Sequence, residues 1–359
     1  MNIYNKRIDS VKNILIQNNL DGVYVSNLTN IRYLTGFTGS AALLLIVNDE
    51  CYFLTDGRYT EQSKTQVKNC KIFIVSNSYL EIIKKSDLIP KKSKIGFETL
   101  HITHNSFLHL SNVLSHVDFF PLENTIEQIA AIKDKVEIEN LKHAIEITDQ
   151  VFDDIIPELK VGAIEKRIAA KISYLFKMHG ADGDSYDPII ASGRLGALPH
   201  AQPSEKNFEN GDFVVMDFGA LYNGYHADMT RTILIGSSTD QHKEIYEAVL
   251  SSQMAGIAAA KAGITGQKLD RVCRDVIKNA GYGNQFIHST GHGIGLEVHT
   301  LPRISAFNTK PLLKNNVITI EPGIYIEGWG GVRIEDDCLI NEDSCTPLNR
   351  STKELLILN

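Results

Sequence analysis

The sequence is poor in the features that mark several common classes of protein. Its five cysteines among 359 residues are scattered, odd in number and form no CxxC pair, which argues against a disulfide framework and a thiolate zinc site. No basic run stands out, and the net charge of -7 argues against a nucleic-acid binder. With 43% hydrophobic and 22% charged residues, the composition indicates a soluble globular protein, which we expect in a reducing cytoplasm.

Long apolar segments are missing too. The N-terminal stretch MNIYNKRIDSVKN is polar and lacks the apolar core of a signal peptide. The longest apolar run nearby, AALLLIV at 41–47, is far too short to cross a bilayer. We therefore expect neither export nor membrane insertion.

The spacing of apolar residues divides the chain into two predicted domains. Residues 1–124 alternate helix-like and strand-like stretches, with a hairpin pattern at 40–57, and predict an α/β domain. A long amphipathic helix at 134–156 follows, and then come apolar strands rich in glycine and aspartate and a helix at 240–263. Residues 125–359 therefore predict a second α/β domain in which antiparallel strands dominate.

Two aspartates stand in a predicted hairpin of the second domain. Asn223-Gly224 lies between two apolar runs and is a strong signal for a type I′ turn, which fixes the register. That register puts Asp217 opposite Thr230. It also puts Asp228 opposite Gly219, whose missing side chain would leave room for a site, and makes the aspartates diagonal neighbours about 7–8 Å apart. Two such carboxylates in apolar strands would need a compensating cation, whereas the alternative is a solvent-facing pair.

A second acidic pair flanks a glycine-rich turn. Glu321 ends one apolar strand and Glu335 lies in the next. A five-residue loop would put both glutamates on one face, whereas a four-residue loop would separate them. The competing acidic candidates are Glu327, Asp336 and Asp337, each of which could instead be a solvated loop residue.

The stretch HSTGHGIGLEVH at 288–299 supplies three histidines. Its glycines argue against the helical HExxH metal motif and favour extended or irregular backbone. In an extended strand His288 and His292 share one face, and His299 lies on the other unless a bulge intervenes. With the four carboxylates, His292 completes an oxygen-rich set that suits Mn²⁺, Co²⁺, Fe²⁺ or Zn²⁺ in a two-metal arrangement.

Four motifs occur in order in the second domain: DFGALYNGYHAD, STGHGIGLEVH, EPGIY and VRIEDD. Together they resemble the pita-bread metallopeptidases, the group that holds methionine aminopeptidase, Xaa-Pro aminopeptidase and Xaa-Pro dipeptidase (prolidase). The resemblance implies an α+β catalytic domain with a largely antiparallel, curved sheet and helices. It also implies that Asp228 and Glu335 bridge two metal ions and that His292 contacts one of them. The full implied ligand set is Asp217, Asp228, His292, Glu321 and Glu335.

The N-terminal half narrows the resemblance. The segments NIRYLTGFTGSAALLLI and FLTDGRYTEQ resemble the creatinase/prolidase-type N-terminal domain, which methionine aminopeptidases lack. The likeness therefore covers nearly the whole chain and points to the proline-specific branch. In that branch the N-terminal domain commonly helps to form a homodimer and borders the neighbouring active site, so a homodimer is implied.

The resemblance also assigns residues around the metals. His200, in ASGRLGALPHAQPS, would lie near the substrate, while His288 and His299 would bind the substrate carbonyl or shuttle protons. Arg333 would support the metal centre through its neighbours. Arg303 would bind the C-terminal carboxylate of a dipeptide, a task that suits a bidentate guanidinium.

The activity that the resemblance implies is hydrolysis of the bond between an N-terminal residue and proline by a metal-bridging hydroxide. Glu321 would accept the proton of the attacking water, and the favoured ions are Mn²⁺ and Co²⁺, with Zn²⁺ or Fe²⁺ also suitable. Substrates would be Xaa-Pro dipeptides or peptides with an N-terminal Xaa-Pro, and Arg303 favours the dipeptides. Thr300 departs from the acidic residue usual after the last histidine, which concerns the substrate pocket rather than the metal centre.

Two rival functions use the same fold. One is a non-catalytic relative that binds peptides or proteins, and the other is creatinase, a hydrolase that needs no metal. Either rival would be expected to have lost ligand residues. This chain keeps all five, so the metallopeptidase is the favoured interpretation.

Overall fold

The computed structural model describes residues 3–359 and divides into two compact units, one up to Ala130 and one from Ala131 to Asn359. The elements of the first unit are α1 (Ile3–Gln17), β1 (Gly22–Val25), α2 (Leu28–Thr35), β2 (Ala42–Val47), β3 (Glu50–Asp56), α3 (Thr60–Gln66), β4 (Lys71–Val75), α4 (Tyr79–Lys85), β5 (Lys94–Glu98), α5 (His104–Val113), β6 (Asp118–Leu122) and α6 (Thr125–Ala130).

The first unit is a six-stranded mixed sheet with helices around it. Its strand order is β4-β3-β2-β1-β5-β6, in which β2 runs antiparallel to both β1 and β3. The predicted hairpin at 40–57 is present as β2 and β3. Val47 pairs with Glu50 across a two-residue turn, and Asn48 at its first position has a φ of 51°. Asparagine tolerates a positive φ better than most residues, which suits Asn48 to this position of a tight turn.

The second unit contains the remaining elements. They are α7 (Lys135–Ile155), α8 (Glu165–Met178), β7 (Gly183–Asp184), β8 (Ile189–Ser192), β9 (Phe213–Phe218), β10 (Ala220–Tyr222), β11 (Tyr225–His226), β12 (Met229–Ile235), α9 (Asp240–Ala259), α10 (Gly266–Asn279), β13 (Gly291–Gly293), β14 (Thr300–Ile304), β15 (Val317–Ile320), β16 (Gly323–Ile326), β17 (Gly330–Arg333), β18 (Asp336–Ile340), β19 (Cys345–Pro347) and β20 (Ile357–Leu358). The α/β class and the abundance of antiparallel strands agree with the prediction.

The two long predicted helices of this unit are present. Helix α7 begins after Asp134, whose side chain accepts from the amides of Val136 and Glu137 in a capping box. Helix α9 ends at Ala259, so the prediction that it continues to 263 is wrong. Ala260 has an extended backbone with ψ 128°, and Gly263 turns the chain with a φ of 89°.

Two sheets carry the functional part of the second unit. One has the order β20-β12-β9-β8, and the other has the order β14-β13-β15-β18-β19. Along β9, Val214, Met216 and Phe218 belong to the core that includes residues of α7 and α8. Successive side chains of a strand point to opposite faces, so Asp217 lies on the face away from that core. None of the helices within residues 3–359 is long and apolar enough to cross a membrane.

Candidate metal centre

The predicted register of the first acidic pair is confirmed. Asp217 on β9 pairs with Thr230 on β12, and Tyr222 pairs with Tyr225 across the turn. The regular ladder is interrupted around Gly219. A Cβ atom there would lie 1.8 Å from the carbonyl oxygen of Ala227, so this glycine permits a close approach of two backbones rather than simply leaving room for a metal site.

The second acidic pair is brought together by a shorter loop than either predicted length. Ile326 pairs with Gly330 at the tip of the β16–β17 hairpin, which leaves three residues in the loop instead of four or five. On the other side, Ile320 of β15 pairs with Asp336 of β18. Glu321 and Glu335 follow these partners in the same register and so come to lie opposite each other.

Three of the five predicted metal ligands form a buried cluster. One ligand atom each from Asp228, His292 and Glu335 can be chosen so that all three lie within 4.8 Å of one another. Glu321 adjoins the cluster, because its Oε1 atom lies 3.4 Å from Nε2 of His292. Asp217 is linked to Asp228 through the hydroxyl of Tyr186, which contacts both carboxylates. The structure therefore gathers all five residues around one region.

His292 is oriented as a metal ligand. Its Nδ1 atom lies 3.0 Å from the carbonyl oxygen of Gly293, which can only accept, so Nδ1 carries the proton. The unprotonated Nε2 atom then faces the carboxylates and lies 3.6 Å from Oδ2 of Asp228. Burial lowers the pKa of His292 to about 4, so the ring is neutral at neutral pH. A neutral imidazole held by a backbone carbonyl is the form that binds metals.

Burial and mutual repulsion disfavour the charged forms of the carboxylates in the cluster. Burial, followed by the charge of Asp217, raises the pKa of Asp228 well above its usual range. Burial and the charge of Asp228 do the same to the pKa of Glu335, and burial also raises that of Glu321. Bound cations would relieve this repulsion, and carboxylate and imidazole donors suit divalent transition metals. The residues present therefore fit a metal centre.

Arg333 lies against the acidic cluster. The residue is 3% exposed, and its guanidinium donates to Asp217, to the Tyr325 hydroxyl at 2.7 Å and to the Thr230 hydroxyl at 2.9 Å. It supplies a buried positive charge beside the four carboxylates and fixes the orientation of Asp217. One guanidinium cannot compensate four carboxylates, which strengthens the case for bound cations.

His288 is linked to Arg333 by hydrogen bonds that both residues form with the Tyr325 hydroxyl. Its Nδ1 atom lies 2.8 Å from the Ser289 carbonyl and therefore carries the proton, so Nε2 accepts from the Tyr325 hydroxyl at 2.9 Å. Burial lowers the pKa of His288, which keeps the ring neutral. The proton-bearing Nδ1 atom is 4.0 Å from Oε2 of Glu321. Arg333, Tyr325 and His288 thus form a chain of hydrogen bonds that passes beside the Glu321 carboxylate.

The other predicted residues lie on the open side of the cluster. The ring of His299 is 4.3 Å from that of His292, measured between centroids. Partial desolvation of the ring, followed by the neighbouring His292, Arg303 and His200, lowers the pKa of His299 to about 4. His200, His299 and Arg303 are exposed, so the substrate contacts that the resemblance implies are sterically open to them.

The competing acidic candidates have other partners. Glu327 is exposed in the three-residue loop. The Asp336 carboxylate accepts from Arg231 at 2.7 Å and from Lys353 at 2.7 Å. Asp337 accepts from the backbone amide of Asp228 at 2.9 Å and so holds the backbone of this predicted ligand in place.

Two supporting residues escaped the sequence analysis. Tyr186 is one, and Arg231, which is 1% exposed, is the other. Arg231 donates to the backbone carbonyl of Glu335 at 2.5 Å and to those of Ser351 and Thr352 at 2.9 and 3.0 Å. It therefore ties strand β12 to the chain beside Glu335 and to the C-terminal segment. No local pattern in the sequence distinguishes either residue from an ordinary strand or loop residue.

Replacing Tyr186 with phenylalanine is expected to weaken metal binding roughly 10–100-fold, the usual effect of losing a group that orients a metal ligand. The hydroxyl contacts Asp217 and Asp228 together, and the ring would keep its volume. Calorimetric titration of metal-stripped protein with Mn²⁺ measures the change. Tyr174→Phe, at a side chain 55% exposed, is the matched control. Equal affinities in Tyr186→Phe and wild type would contradict this role.

Comparisons with known proteins bear on the same residues. The model of metallopeptidase family M24 matches residues 139–342, and that of the creatinase/prolidase N-terminal domain matches residues 7–132. A protein of Pyrococcus furiosus called Xaa-Pro dipeptidase is 39% identical, and the match covers 98% of this chain and 99% of that one.

Solved structures give a similar result. A structure described as an Xaa-Pro dipeptidase from Bacillus anthracis has a TM-score of 0.96 and 38% identity, covering 99% of this chain and 100% of that one. A structure described as an X-Pro aminopeptidase from Thermotoga maritima has a TM-score of 0.89 and 38% identity, covering 96% and 98%. The two structures are equally identical in sequence to this chain, but their descriptions name different kinds of peptidase.

Proposed function

We propose that this chain, which belongs to metallopeptidase family M24, is an exopeptidase that hydrolyses the bond between an N-terminal residue and proline. The observation that carries the proposal is the buried cluster of Asp228, His292 and Glu335 within the matched catalytic domain. Proline specificity is supported by the creatinase/prolidase-type N-terminal domain and by the names of the relatives.

The proposed cofactors are two divalent ions, Mn²⁺ or Co²⁺ in preference to Zn²⁺ or Fe²⁺. Asp217, Asp228, His292, Glu321 and Glu335 would hold them, with Asp228 and Glu335 shared between both. When bound at these residues, such ions would supply a nucleophilic hydroxide at neutral pH by lowering the pKa of a water molecule. A homodimer and a cytoplasmic location remain predictions from the sequence.

The surrounding residues have distinct proposed roles in the reaction. The water oxygen forms a bond to the scissile carbonyl carbon while Glu321 accepts the water proton. His299 stabilises the negative charge that develops on the carbonyl oxygen, and His200 and His288 assist. When the carbon–nitrogen bond breaks, Glu321 returns the proton to the proline nitrogen. Arg303 binds the free carboxylate of a dipeptide.

The experiment that tests the function is an assay with Mn²⁺ or Co²⁺ that compares an Xaa-Pro dipeptide with an Xaa-Pro-Yaa tripeptide. We expect the wild-type protein to prefer the dipeptide. Arg303→Ala is expected to raise KM for the dipeptide roughly tenfold or more, because a charge-assisted hydrogen bond to the carboxylate is lost. Arg271→Ala, at an exposed arginine of α10, is the matched control and should behave as wild type.

The outcomes separate the alternatives. Cleavage of the tripeptide alone would contradict the dipeptide preference and indicate an aminopeptidase. Absence of cleavage, together with metal content near zero after Mn²⁺ or Co²⁺ is added, would favour the non-catalytic relative or creatinase. An unchanged KM in Arg303→Ala would remove this arginine from the substrate site without affecting the assignment of the metal ligands.

A further inference from the structure

A cavity of about 660 Å³ lies in the second unit and contains none of the residues proposed for catalysis. It is bounded by the 3-10 helix Gly193–Ala197, the segment before β9, the first turn of α9 and the tip of the β16–β17 hairpin. Its volume is within the range of sites for small molecules, about 300–1,000 Å³. The cavity is open to solvent and its lining is both aromatic and charged.

The imidazole of His242 supplies a hydrogen-bond donor at the cavity. His242 is 8% exposed and forms the capping box of α9, where its Nδ1 atom accepts from the backbone amide of Thr239 at 3.0 Å. An accepting Nδ1 leaves the proton of the neutral ring on Nε2. Within residues 3–359, Nε2 of His242 has no hydrogen-bond partner, and this atom is not fully buried. Its N–H group can therefore donate to water or to a ligand in the cavity.

The aromatic wall beside this donor is built from three rings. Trp329 stacks on His242 with centroids 5.3 Å apart and an interplanar angle of 29°. Phe213 meets His242 edge to face at 4.9 Å and Trp329 edge to face at 5.7 Å. Trp329, which is the single tryptophan of the chain, is partly exposed at the cavity. A planar apolar group can therefore pack against it.

The charged groups of the cavity are of both signs. Lys206 and Asp212 neutralise each other at 2.5 Å. Arg194 and Glu209 are exposed, and neither side chain has an ion pair or hydrogen bond within the described chain. One free guanidinium and one free carboxylate in the same cavity match a ligand that carries one negative and one positive charge.

We propose that this cavity binds a free α-amino acid with an aromatic side chain. Arg194 and the Nε2–H group of His242 hold its carboxylate, Glu209 holds its ammonium group, and its ring packs on Trp329. Each group of the ligand thereby meets a group that the protein leaves without a partner. The site is separate from the metal cluster, and ligand binding there requires no turnover.

The test is titration of the metal-loaded protein with L-phenylalanine, followed by the fluorescence of Trp329. We expect a saturable change in emission. Phenylpropionate, which lacks the ammonium group, and phenethylamine, which lacks the carboxylate, should each bind roughly tenfold more weakly, since each loses a charged hydrogen bond.

Two variants test which protein side chain binds each charged group of the ligand. Arg194→Gln should weaken binding of L-phenylalanine and phenylpropionate roughly tenfold and leave phenethylamine unchanged. Glu209→Gln should weaken L-phenylalanine and phenethylamine and leave phenylpropionate unchanged. Lys243→Gln, at an exposed lysine next to His242 that does not line the cavity, is the matched control and should bind all three as wild type does.

Three results would overturn the proposal. The first is an emission that does not saturate with L-phenylalanine. The second is equal affinity for the three compounds, because the charges would then play no part. The third is unchanged binding in both Arg194→Gln and Glu209→Gln. All three compounds lack a peptide bond, so these results are independent of the peptidase assay.

Discussion

Replacing Glu335 with glutamine is expected to lower kcat/KM for an Xaa-Pro dipeptide roughly a thousandfold or more. A metal ion contributes several kcal/mol to catalysis of this kind, and each 1.4 kcal/mol corresponds to about a factor of ten in rate. Glutamine has nearly the same shape and can still accept from the Thr230 hydroxyl, which lies 2.7 Å from Oε2. It removes one charge from a buried acidic cluster, so the fold should be retained. Metal content, measured on the same sample, should fall together with activity.

The matched control for this substitution is Glu327→Gln, in the exposed loop of the β16–β17 hairpin. It makes the same chemical change away from the cluster and should leave both activity and metal content unchanged. Asp228→Asn should reproduce the loss seen in Glu335→Gln, since both carboxylates belong to the cluster. Full activity in either variant would refute the proposed metal centre.

Removal of the metal is expected to destabilise the protein more at pH 7.5 than at pH 5.5. The pKa values of Asp228 and Glu335 in the metal-free fold are raised above the usual value of about 4 for an unfolded chain. For a raised carboxylate pKa, the folded state loses stability as pH rises above the unfolded value and until the folded pKa is passed. Bound metal replaces the protons and compensates the charges, so its stabilising effect grows with pH.

The size of this effect follows from proton linkage. Each displaced proton adds up to about 1.4 kcal/mol of metal-dependent stability per pH unit. Thermal unfolding with Mn²⁺ and after chelation, at both pH values, measures the difference in Tm. Asp228→Asn removes one titrating group and should reduce the pH dependence of the metal-free protein. A difference in Tm between the two forms that does not change with pH would contradict the account.

The pairing of the first two aspartates could be predicted because a local signal controls it. Asn223 and Gly224 have φ values of 48° and 75°, as a type I′ turn requires, and the pairing of Asp217 with Thr230 follows by counting. Glu321 and Glu335 were harder to align. Their glycine-rich loop is compatible with several lengths, and the observed one depends on strand pairs on both sides of the hairpin.

The rest of the site depends on contacts between distant parts of the chain. Tyr186 is 42 positions from Asp228, and its partner on the other side is Asp217. No sequence pattern links Tyr186 to Asp217 or to Asp228. Likewise, the spacing of the histidines alone did not identify His292 as the ligand, and that choice came from the resemblance to known metallopeptidases. Apolar periodicity reveals faces and registers, but it carries no information about such polar contacts.

The anchoring of the C-terminal segment has a consequence for how the protein is made. Arg231 reaches the carbonyls of residues 120 and 121 positions later, and strand β12 pairs with β20 at the end of the described chain. During synthesis, the strand that carries Thr230 and Arg231 leaves the ribosome long before these partners. Its hydrogen bonds to them form only after translation has passed residue 358. Assembly of the region around Glu335 is therefore completed late, once the C-terminal segment is available to pair with β12.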